Sequence, residues 1–411
     1  MTKLLPNGQV DISSGKTLAY LCGSPMVSTI LGRGMSGPSA HVRGVIKGFQ
    51  MNGWQVCTYV VGDMLSPSSS KVTDRITKSR LKLLFNDLIR IWMNIINQEI
   101  CYRKFLHVDW VYERYGAFQS LGTKLHRRGI PWILEVNGLF FSESLNDRKS
   151  IFLSRLEYQS MRRACLECDA IVTVSDGLAR ALCREFGVAR EKILVVPNAV
   201  DTDIFDPSQT QPIREFTDPT IGFVGSFMPW HGIDLLLEAA SRLKSRGCDI
   251  RYTLVGDGVM FERCKQLCTE LRLTDVVRFV GNVAPRIVPS YIAGFDICFG
   301  MQYPRKDGIL ASSSLKIFEY AAMAKPVILS QVEADQIGFA DGISCFVVNG
   351  TSLEELIQTF ELAYYNRARW AEMGRKAREL IVSRHTWSVR VKEMAEGLKA
   401  ILDRNVKIGS Q

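Results

Sequence analysis

Residues 220–240 read TIGFVGSFMPWHGIDLLLEAA and contain an apolar run of strand length, a glycine-containing loop and a stretch with apolar residues at helical spacing. The run Thr220–Val224 predicts a buried β-strand, and Leu235–Arg246 predicts an α-helix with one apolar face. A strand that leads directly into a helix is the repeating unit of parallel α/β sheets. This stretch therefore predicts an α/β fold.

The same unit recurs on both sides of this stretch, because apolar runs of strand length alternate with stretches of helical period along the chain. Such alternation is typical of βαβ units and parallel sheets. Helices are predicted most clearly at Leu235–Arg246, Met260–Leu271 and Leu353–Tyr365. The predicted strands are Leu18–Cys22, Gln55–Val60, Trp110–Glu113, Trp132–Val136, Ala170–Val174, Ile193–Val196, Thr220–Val224, Ile250–Val255, Val277–Val280, Ile297–Phe299, Pro326–Leu329 and Cys345–Val348.

A polar, proline-bracketed segment, PSQTQP at residues 207–212, separates the two series of strands. Single cores stop growing beyond about 250–300 residues, so a chain of 411 residues favours two domains. We predict one domain at 1–206, a second at 207–384, and a last amphipathic helix within 385–411. Parallel sheets bind ligands at the carboxyl ends of their strands, so the cleft between the domains is the predicted active site.

Composition excludes several classes of protein. With 46% hydrophobic and 23% charged residues the chain is a folded globular protein. Its eleven cysteines are scattered, which indicates reduced thiols and neither a zinc site nor a disulfide framework. The N-terminal residues lack the apolar core of a signal peptide, and no run approaches the roughly 18 apolar residues of a membrane span. We expect a cytoplasmic protein.

The net charge of +9 is concentrated in the first half, where residues 1–205 carry 26 Lys and Arg against 18 Asp and Glu. This half is expected to face an anionic partner. Residues 78–106 allow two interpretations: a helix packed in the domain with solvated charges, which is favoured, or a peripheral contact with the inner face of a membrane. No motif for nucleic acid accompanies the charge, so no nucleic-acid partner is predicted.

Two kinds of local pattern suggest phosphate binding. After the first strand, residues 32–42 (GRGMSGPSAHV) form a glycine-rich loop with Gly34 and Gly37, and His41 follows at the start of a helix. Such a loop brings backbone N–H groups close to a phosphate, although an ordinary turn is the alternative. In the second half, strands end at Gly225 and Gly256, which indicates several backbones approaching one ligand.

Residues 312–320 (SSSLKIFEY) predict a helix that begins with small hydroxyl residues. The free N–H groups and hydroxyls of such a helix start, together with the cation of Lys316, suit a diphosphate. Glu319 suits the hydroxyls of a ribose. A serine-capped helix with surface Lys and Glu is the alternative. The donor-binding candidates here are Ser312, Ser313, Ser314, Leu315, Lys316 and Glu319.

The ordered series VGSFMPWHGID, LVGDG, VRFVG and SSLKIFEYAAMAKPVI, with GPSAHVRGVIKGFQMNGWQV and VVPNAVD in the first half, resembles the retaining glycosyltransferases of the GT-B fold, family 4. The resemblance covers nearly the whole chain. It implies two Rossmann-like domains that face a central cleft. The first domain would bind the acceptor, the second the nucleotide sugar, and the last helix would pack back on the first domain.

The resemblance also implies roles for single residues. Gly225 would approach the donor diphosphate, Lys316 would neutralise it, and Glu319 would match the second Glu of the family's E-x7-E motif, which binds ribose. The first Glu of that motif falls on Ala311, so its carboxylate is missing there. Asp307 is suggested as a local substitute.

Three further positions depart from the family pattern. The Arg and Lys of the family's G-R-x-x-x-x-K-G segment fall on Ser226 and His231, and the usual His after the fourth strand falls on Asn137, a position that faces the donor sugar. The diphosphate would then rest on Lys316, backbone amides and His231. The predicted catalytic residues are Lys316, Asp307 and Asn137. The predicted acceptor-side residues are Gly37, His41, Glu113, Arg114 and Asn137.

The predicted activity is transfer of a hexose-type sugar, with retention, from a nucleoside diphosphate to a glycan, glycolipid or small-molecule acceptor. UDP is the preferred nucleotide and GDP the next. Retention requires mainly leaving-group stabilisation, and the departing diphosphate can take the acceptor proton. No metal and no cofactor besides the sugar nucleotide are expected. The alternatives are a sugar-nucleotide-binding protein without catalysis and a sugar-nucleotide epimerase of the same fold.

Overall fold

The computed structural model describes residues 16–33, 36–65, 79–139, 151–303 and 313–409, and these contain two six-stranded parallel sheets. The first sheet consists of β1 (Thr17–Cys22), β2 (Gln55–Val60), β3 (Trp110–Arg114), β4 (Trp132–Val136), β5 (Ala170–Thr173) and β6 (Ile193–Val195). The second consists of β7 (Thr220–Val224), β8 (Arg251–Val255), β9 (Val277–Gly281), β10 (Ile297–Phe299), β11 (Val327–Ser330) and β12 (Cys345–Val348).

The strand orders identify both sheets as doubly wound. The first sheet has the order β2-β1-β3-β4-β5-β6 and the second β12-β11-β10-β7-β8-β9. Numbered within its own domain, the second order is 3-2-1-4-5-6, which is the Rossmann order. The predicted fold class, two Rossmann-like parallel-sheet domains, is confirmed.

Every predicted strand is present, and each of its ends lies within one residue of the prediction. The agreement has a physical cause. Strands of a parallel sheet are covered by helices on both faces, so they appear in a sequence as continuous apolar runs. Strand β4, for example, is buried at all five of its positions.

Helices connect the strands and cover both sheets. In the first domain they are α1 (Ser36–Met51), α2 (Val61–Met64), α3 (Arg80–Lys104), α4 (Thr123–His126), α5 (Ser154–Glu167) and α6 (Asp176–Phe186). In the rest of the chain they are α7 (Ile233–Ser245), α8 (Phe261–Glu270), α9 (Val288–Gly294), α10 (Leu315–Ala322), α11 (Gln331–Ile337), α12 (Leu353–Tyr365), α13 (Trp370–Arg384) and α14 (Trp387–Gly409).

Local capping fixes several helix ends. The Ser175 hydroxyl accepts a hydrogen bond from the N–H of Leu178 at the start of α6, and Gly187 ends that helix in the left-handed conformation. Helix α12 begins with a capping box between Ser352 and Glu355. Such caps satisfy backbone groups that a helix cannot pair internally.

The C-terminal helix α14 packs against α1 in the first domain. Two glycines of α1 permit the close approach, because a Cβ at Gly44 would overlap the indole of Trp387 and one at Gly48 would overlap Val391. Before this helix, Val200 pairs with Thr386 in an isolated β-bridge. The end of the chain therefore returns from the second domain to the first.

Helix α3 is packed with its polar side inward. Asp87, Asn97 and Cys101 are its buried residues, whereas Leu81 is 79% and Trp92 is 62% exposed. The described part of residues 78–106 is thus a packed helix with exposed or half-buried basic side chains, as the favoured interpretation expects, but several of its apolar side chains face solvent as well. Of the helices that the structure describes, none is long and apolar enough to cross a membrane.

Candidate functional site

The order of the second sheet places the loops after β7 and β10 side by side, because these neighbouring strands continue in opposite directions across the sheet. Ligands of doubly wound folds bind at this switch point, outside the carboxyl ends of the strands. The hydroxyl of Tyr320 on α10 accepts a hydrogen bond from the N–H of Val224 at 2.7 Å. This contact fixes the second half of α10 against the end of β7.

Lys316 carries an unsatisfied buried cation at this point. Its side chain is 7% exposed, and Nζ has no hydrogen-bond partner among the described residues. Nζ lies 4.6 Å from the centre of the Phe223 ring. Burial lowers the pKa of Lys316 to about 7, although the carboxylates of Glu333 and Glu319 act to raise it. An anion bound beside Nζ would compensate for the lost hydration.

The first turn of α10 has no side-chain cap among the described residues. Ser314 is the N-cap residue, but its side chain caps none of the first N–H groups. The N-terminus of a helix carries a partial positive charge that favours anions. Ser313 is buried, and its Oγ accepts a hydrogen bond from the N–H of Asn198 at 2.9 Å. Leu315 packs its side chain against the core of the first domain.

Two carboxyl groups face Lys316. Glu319 lies one turn later on α10, its carboxylate accepts no hydrogen bond from the described residues, and burial raises its pKa to about 7. Glu333 on α11 is 4% exposed and accepts a hydrogen bond from the Ser330 hydroxyl at 3.0 Å. Burial raises the pKa of Glu333 to about 7 as well, against the charge of Lys316. Glu333 was not predicted, because nothing in its local sequence marks it.

His231 and Ser226 lie in the loop after β7. Ser226 is exposed, and its carbonyl lies 2.5 Å from Nδ1 of His231. Because that partner is an acceptor, Nδ1 carries the proton. Burial and the charge of Lys316 hold the pKa of His231 well below its usual range. A neutral ring therefore stands beside Phe223, with centroids 5.7 Å apart.

Gly225 and Gly256 lie at a close approach of two backbone segments. The N–H of Gly225 donates to the carbonyl of Val255 at 3.0 Å, and that of Gly256 donates to the carbonyl of Gly281 at 2.8 Å. A Cβ on Gly256, whose φ is +126°, would overlap the carbonyl of Gly225. These N–H groups are paired with backbone carbonyls, so they are not free to donate to a ligand, and the approach of both glycines to the donor stays a prediction. The glycines let two backbones pass closely.

A buried carboxylate, Glu135 at the end of β4, organises the first-domain side of the cleft. Oε1 lies 2.6 Å from Nη1 of Arg114 and 2.9 Å from Nε2 of His41, and Oε2 accepts a hydrogen bond from the Tyr112 hydroxyl at 2.7 Å. The amide of Asn137 also donates to Oε1. Burial raises the pKa of Glu135, but the neighbouring His41 and Arg114 outweigh it and hold that pKa far below its usual range.

The predicted acceptor-side residues thus separate into two groups. Arg114, Asn137 and His41 meet at Glu135, whereas Glu113 does not join them. Glu113 is fully buried and accepts hydrogen bonds from the N–H groups of Leu121 and Gly122 and from Nε1 of Trp132. These contacts favour a framework role for Glu113. Gly37 lies in the first turn of α1 beside open space.

Some predicted residues cannot be located. Gly34, Asp307, Ala311 and Ser312 lie outside the described residues. Among the residues that the structure describes, no group of three or more His, Cys, Asp or Glu is placed to hold a metal ion.

Family models match both halves of the chain. A model described as Glycosyltransferase Family 4 matches residues 35–204, and one described as Glycosyl transferases group 1 matches residues 218–364. A GDP-mannose-dependent alpha-(1-6)-phosphatidylinositol monomannoside mannosyltransferase of Mycobacterium tuberculosis is 25% identical in an alignment of 247 residues that covers 58% of this chain. The match spans 64% of that relative, less than two thirds of its length.

Solved structures share the two-domain arrangement. Sucrose-phosphate synthase from Thermosynechococcus elongatus superposes with a TM-score of 0.68 at 16% identity, covering 95% of this chain and all of that one. The HepE protein of Anabaena, in complex with UDP and glucose, superposes with a TM-score of 0.65 at 14% identity, covering 94% of this chain and all of that one. These likenesses show a shared GT-B fold.

Proposed function

Because the chain belongs to the family 4, group 1 glycosyltransferases, we propose that it transfers a sugar from a nucleoside diphosphate, with the diphosphate bound at the start of α10. The buried Nζ of Lys316, without a hydrogen-bond partner among the described residues, carries this proposal. A cation left unpaired in the interior is costly unless an anion meets it. The uncapped first turn of α10 supplies further donors to the same anion.

The chemistry of the proposed step is leaving-group stabilisation. As the bond between the sugar and the diphosphate breaks, negative charge grows on the phosphate oxygens, and Lys316 with the α10 N-terminus stabilises that charge. Transfer would occur with retention, and the departing diphosphate would take the proton of the acceptor hydroxyl. The chain's own cation takes the role that a metal ion has in other transferases. Glu319, whose carboxylate faces Lys316 and accepts no hydrogen bond from the described residues, is proposed to hold the ribose.

UDP is proposed as the nucleotide, with GDP next. The M. tuberculosis relative is named as GDP-mannose-dependent, and the Anabaena structure holds UDP, so both belong in the first experiment. Thermal unfolding with UDP, GDP, ADP and dTDP and their common sugars should identify one stabilising nucleotide, and its sugar should be released slowly to water. Sugar-nucleotide binding without release, even with acceptors present, would favour a non-catalytic binder. A product whose sugar stays on the nucleotide would favour an epimerase.

The affinity for the selected nucleoside diphosphate is expected to fall as pH rises above 7, by up to about tenfold per pH unit. Lys316 is protonated below its pKa of about 7, and the bound anion favours the protonated form, so binding takes up a proton above that pH. Glu319 and Glu333 lose their protons in the same range and add repulsion. Titrations between pH 6 and 9 measure the slope. A pH-independent affinity would contradict the assignment.

We also propose that helix α3 rests on an anionic bilayer at the inner face of a membrane. The apolar side chains of Leu81, Phe85, Leu88, Trp92 and Ile95 recur every three or four residues and are exposed. Between residues 80 and 98, Arg80, Lys82 and Arg90 are accompanied by one acid, Asp87, which is buried. An apolar helix face flanked by cations is the pattern of interfacial helices.

An acceptor anchored in lipid is the corresponding proposal for the substrate, in keeping with the phosphatidylinositol monomannoside named for the M. tuberculosis relative. Helix α3 belongs to the crossover between the parallel strands β2 and β3, so it runs antiparallel to them. Its first turns therefore lie toward the carboxyl ends of the strands, which form the cleft. At about 1.5 Å per residue, the 25-residue helix is longer than the strands of about 20 Å that it covers. Its exposed start would therefore bring the cleft close to the bilayer.

Replacing Trp92 with glutamate is expected to weaken binding to vesicles of anionic lipid by at least about tenfold, because an inserted aromatic ring becomes a charge that the lipid repels. Co-sedimentation with neutral and anionic vesicles measures it. Leu362→Glu, at an exposed leucine of α12 (53% exposed), is the control and should bind like the parent chain. The proposal would be contradicted if the parent chain did not bind vesicles but formed a dimer that Trp92→Glu disrupts. The exposed face of α3 would then bind a second copy of the chain.

A further inference from the structure

A continuous series of buried contacts joins the two domains between Glu135 and the start of α10. Nε2 of His41 lies 2.9 Å from Glu135, and Nδ1 lies 2.6 Å from Oδ1 of Asn198. Nδ2 of Asn198 donates to the carbonyl of Ser313 at 2.5 Å, and the N–H of Asn198 donates to the Ser313 hydroxyl at 2.9 Å. All four residues are buried, and they come from β4, α1, the connection after β6 and the residues before α10.

The hydrogen-bond partners fix the orientation of the Asn198 side-chain amide. Because Nδ2 of Asn198 donates to a carbonyl, its Oδ1 must be the atom that accepts from His41. His41 is further held by the Trp387 ring of α14, edge-on with centroids 5.2 Å apart. Glu135 is itself held by Arg114, Tyr112 and Asn137. Asn198 therefore connects a rigid group in the first domain to both polar groups of Ser313.

We infer that His41 and Asn198 are positioning residues, which fix the first turn of α10, and with it Lys316, relative to the first domain. Only two residues separate Ser313 from Lys316. A shift of Ser313 therefore moves the uncapped N–H groups and the cation together. Packed polar contacts in the interior rigidify the elements that they join. The inference rests on the proposed function for the diphosphate, but the contacts themselves do not depend on it.

Asn198→Asp tests the link with least change of shape. The aspartate still accepts from His41, but it loses the donor to the Ser313 carbonyl and places an oxygen against that oxygen. Without any nucleotide present, hydrogen exchange of the α10 amides is expected to become roughly tenfold faster, which is the effect of losing about one net hydrogen bond. His41→Ala should act in the same direction. His41→Gln, which retains a donor for Asn198, should restore the protection.

Asn52→Asp is the matched control. The amide of Asn52 also donates to backbone carbonyls, those of Gly48 and Ser388, and neither of these residues belongs to α10. This variant should leave exchange in α10 unchanged. If Asn198→Asp leaves the exchange of α10 at the parent value, or Asn52→Asp raises it equally, the inference is overturned.

A second measurement links the contacts to catalysis. Asn198→Asp is expected to lower kcat with the nucleotide sugar by about tenfold or more and to change its KM by less than about threefold, because correctly placed donors matter most when charge develops on the leaving group. Because a smaller folded fraction would also lower the apparent kcat without changing KM, the folded fraction is measured by circular dichroism and kcat is expressed per folded molecule. If the parent chain binds no nucleotide, the proposed function fails, whereas the exchange experiment still decides the role of Asn198.

Discussion

Replacing Lys316 with methionine is expected to lower turnover of a nucleoside-diphosphate sugar by about 10²- to 10³-fold, which is the usual cost of removing a group that stabilises developing negative charge. The same change is expected to raise the temperature of unfolding. Lys316 is 7% exposed and Nζ has no hydrogen-bond partner among the described residues, so its burial is a cost to the folded protein without ligand. Opposite effects on activity and stability separate a binding role from a structural one.

Lys325→Met is the matched control for this prediction. Lys325 lies on the same domain, and burial lowers its pKa as well. Its Nζ, however, donates to the carbonyl of Ala293 at 2.8 Å. The control is expected to leave turnover unchanged and to lower stability, because that carbonyl loses its partner. Normal turnover in Lys316→Met would contradict the donor site.

Replacing Glu135 with leucine is expected to lower the free energy of unfolding by about 3–5 kcal/mol, because the buried charge of Arg114 loses its counter-ion. Oε1 of Glu135 also contacts His41, and Oε2 accepts from Tyr112. Urea unfolding at pH 7 measures the change. Replacing both partners of a buried ion pair with apolar residues destabilises a protein less than replacing one of them. Arg114→Met combined with Glu135→Leu should therefore recover part of the lost free energy of unfolding.

The effect of Glu135 should also depend on pH. His41 and Arg114, acting against burial, hold the pKa of Glu135 far below its usual range. A depressed carboxyl pKa gives stability that is present above the unfolded-state pKa and is lost as pH falls through the folded-state value. The difference between the parent and Glu135→Leu should therefore shrink in acid. Glu167→Leu, which removes a surface pair with Arg163, should cost less than about 1 kcal/mol.

The strands and helix α10 could be predicted because the sequence patterns that indicate them are local. A strand covered on both faces must be apolar along its length, and a helix start with serines followed by Lys316 is contiguous in the sequence. The strand order and the partners of these residues were not predictable, because they depend on contacts between distant segments. Residues 157 positions apart form the contact between His41 and Asn198.

Glu135 shows which signal was available and missed. It stands in the strand Trp132–Val136, whose other residues are apolar, and a carboxylate in a buried strand must find partners. That argument marks the residue, although it names none of its partners. Glu333 gives no such signal, since it occupies an ordinary position in the first turn of a helix, where acids are common.

At the glycines and in α3, the sequence indicated a feature correctly but not what that feature faces. A glycine after a strand indicates a close backbone approach, but the sequence does not say whether a ligand or a neighbouring strand approaches; at Gly256 it is the carbonyl of Gly225. Likewise, apolar residues at helical spacing identify a helical face without stating which way it points. In α3 that face points to solvent.

The most direct test of the account is calorimetric titration of UDP and GDP into the parent chain and into Lys316→Met at pH 7.5, in two buffers of different ionisation enthalpy. The account predicts that one nucleotide binds the parent chain with uptake of a proton, and that Lys316→Met binds it at least about tenfold more weakly without proton uptake. Equal affinity in the two proteins, or no binding of either nucleotide to the parent chain, would contradict the assignment of the diphosphate to the start of α10.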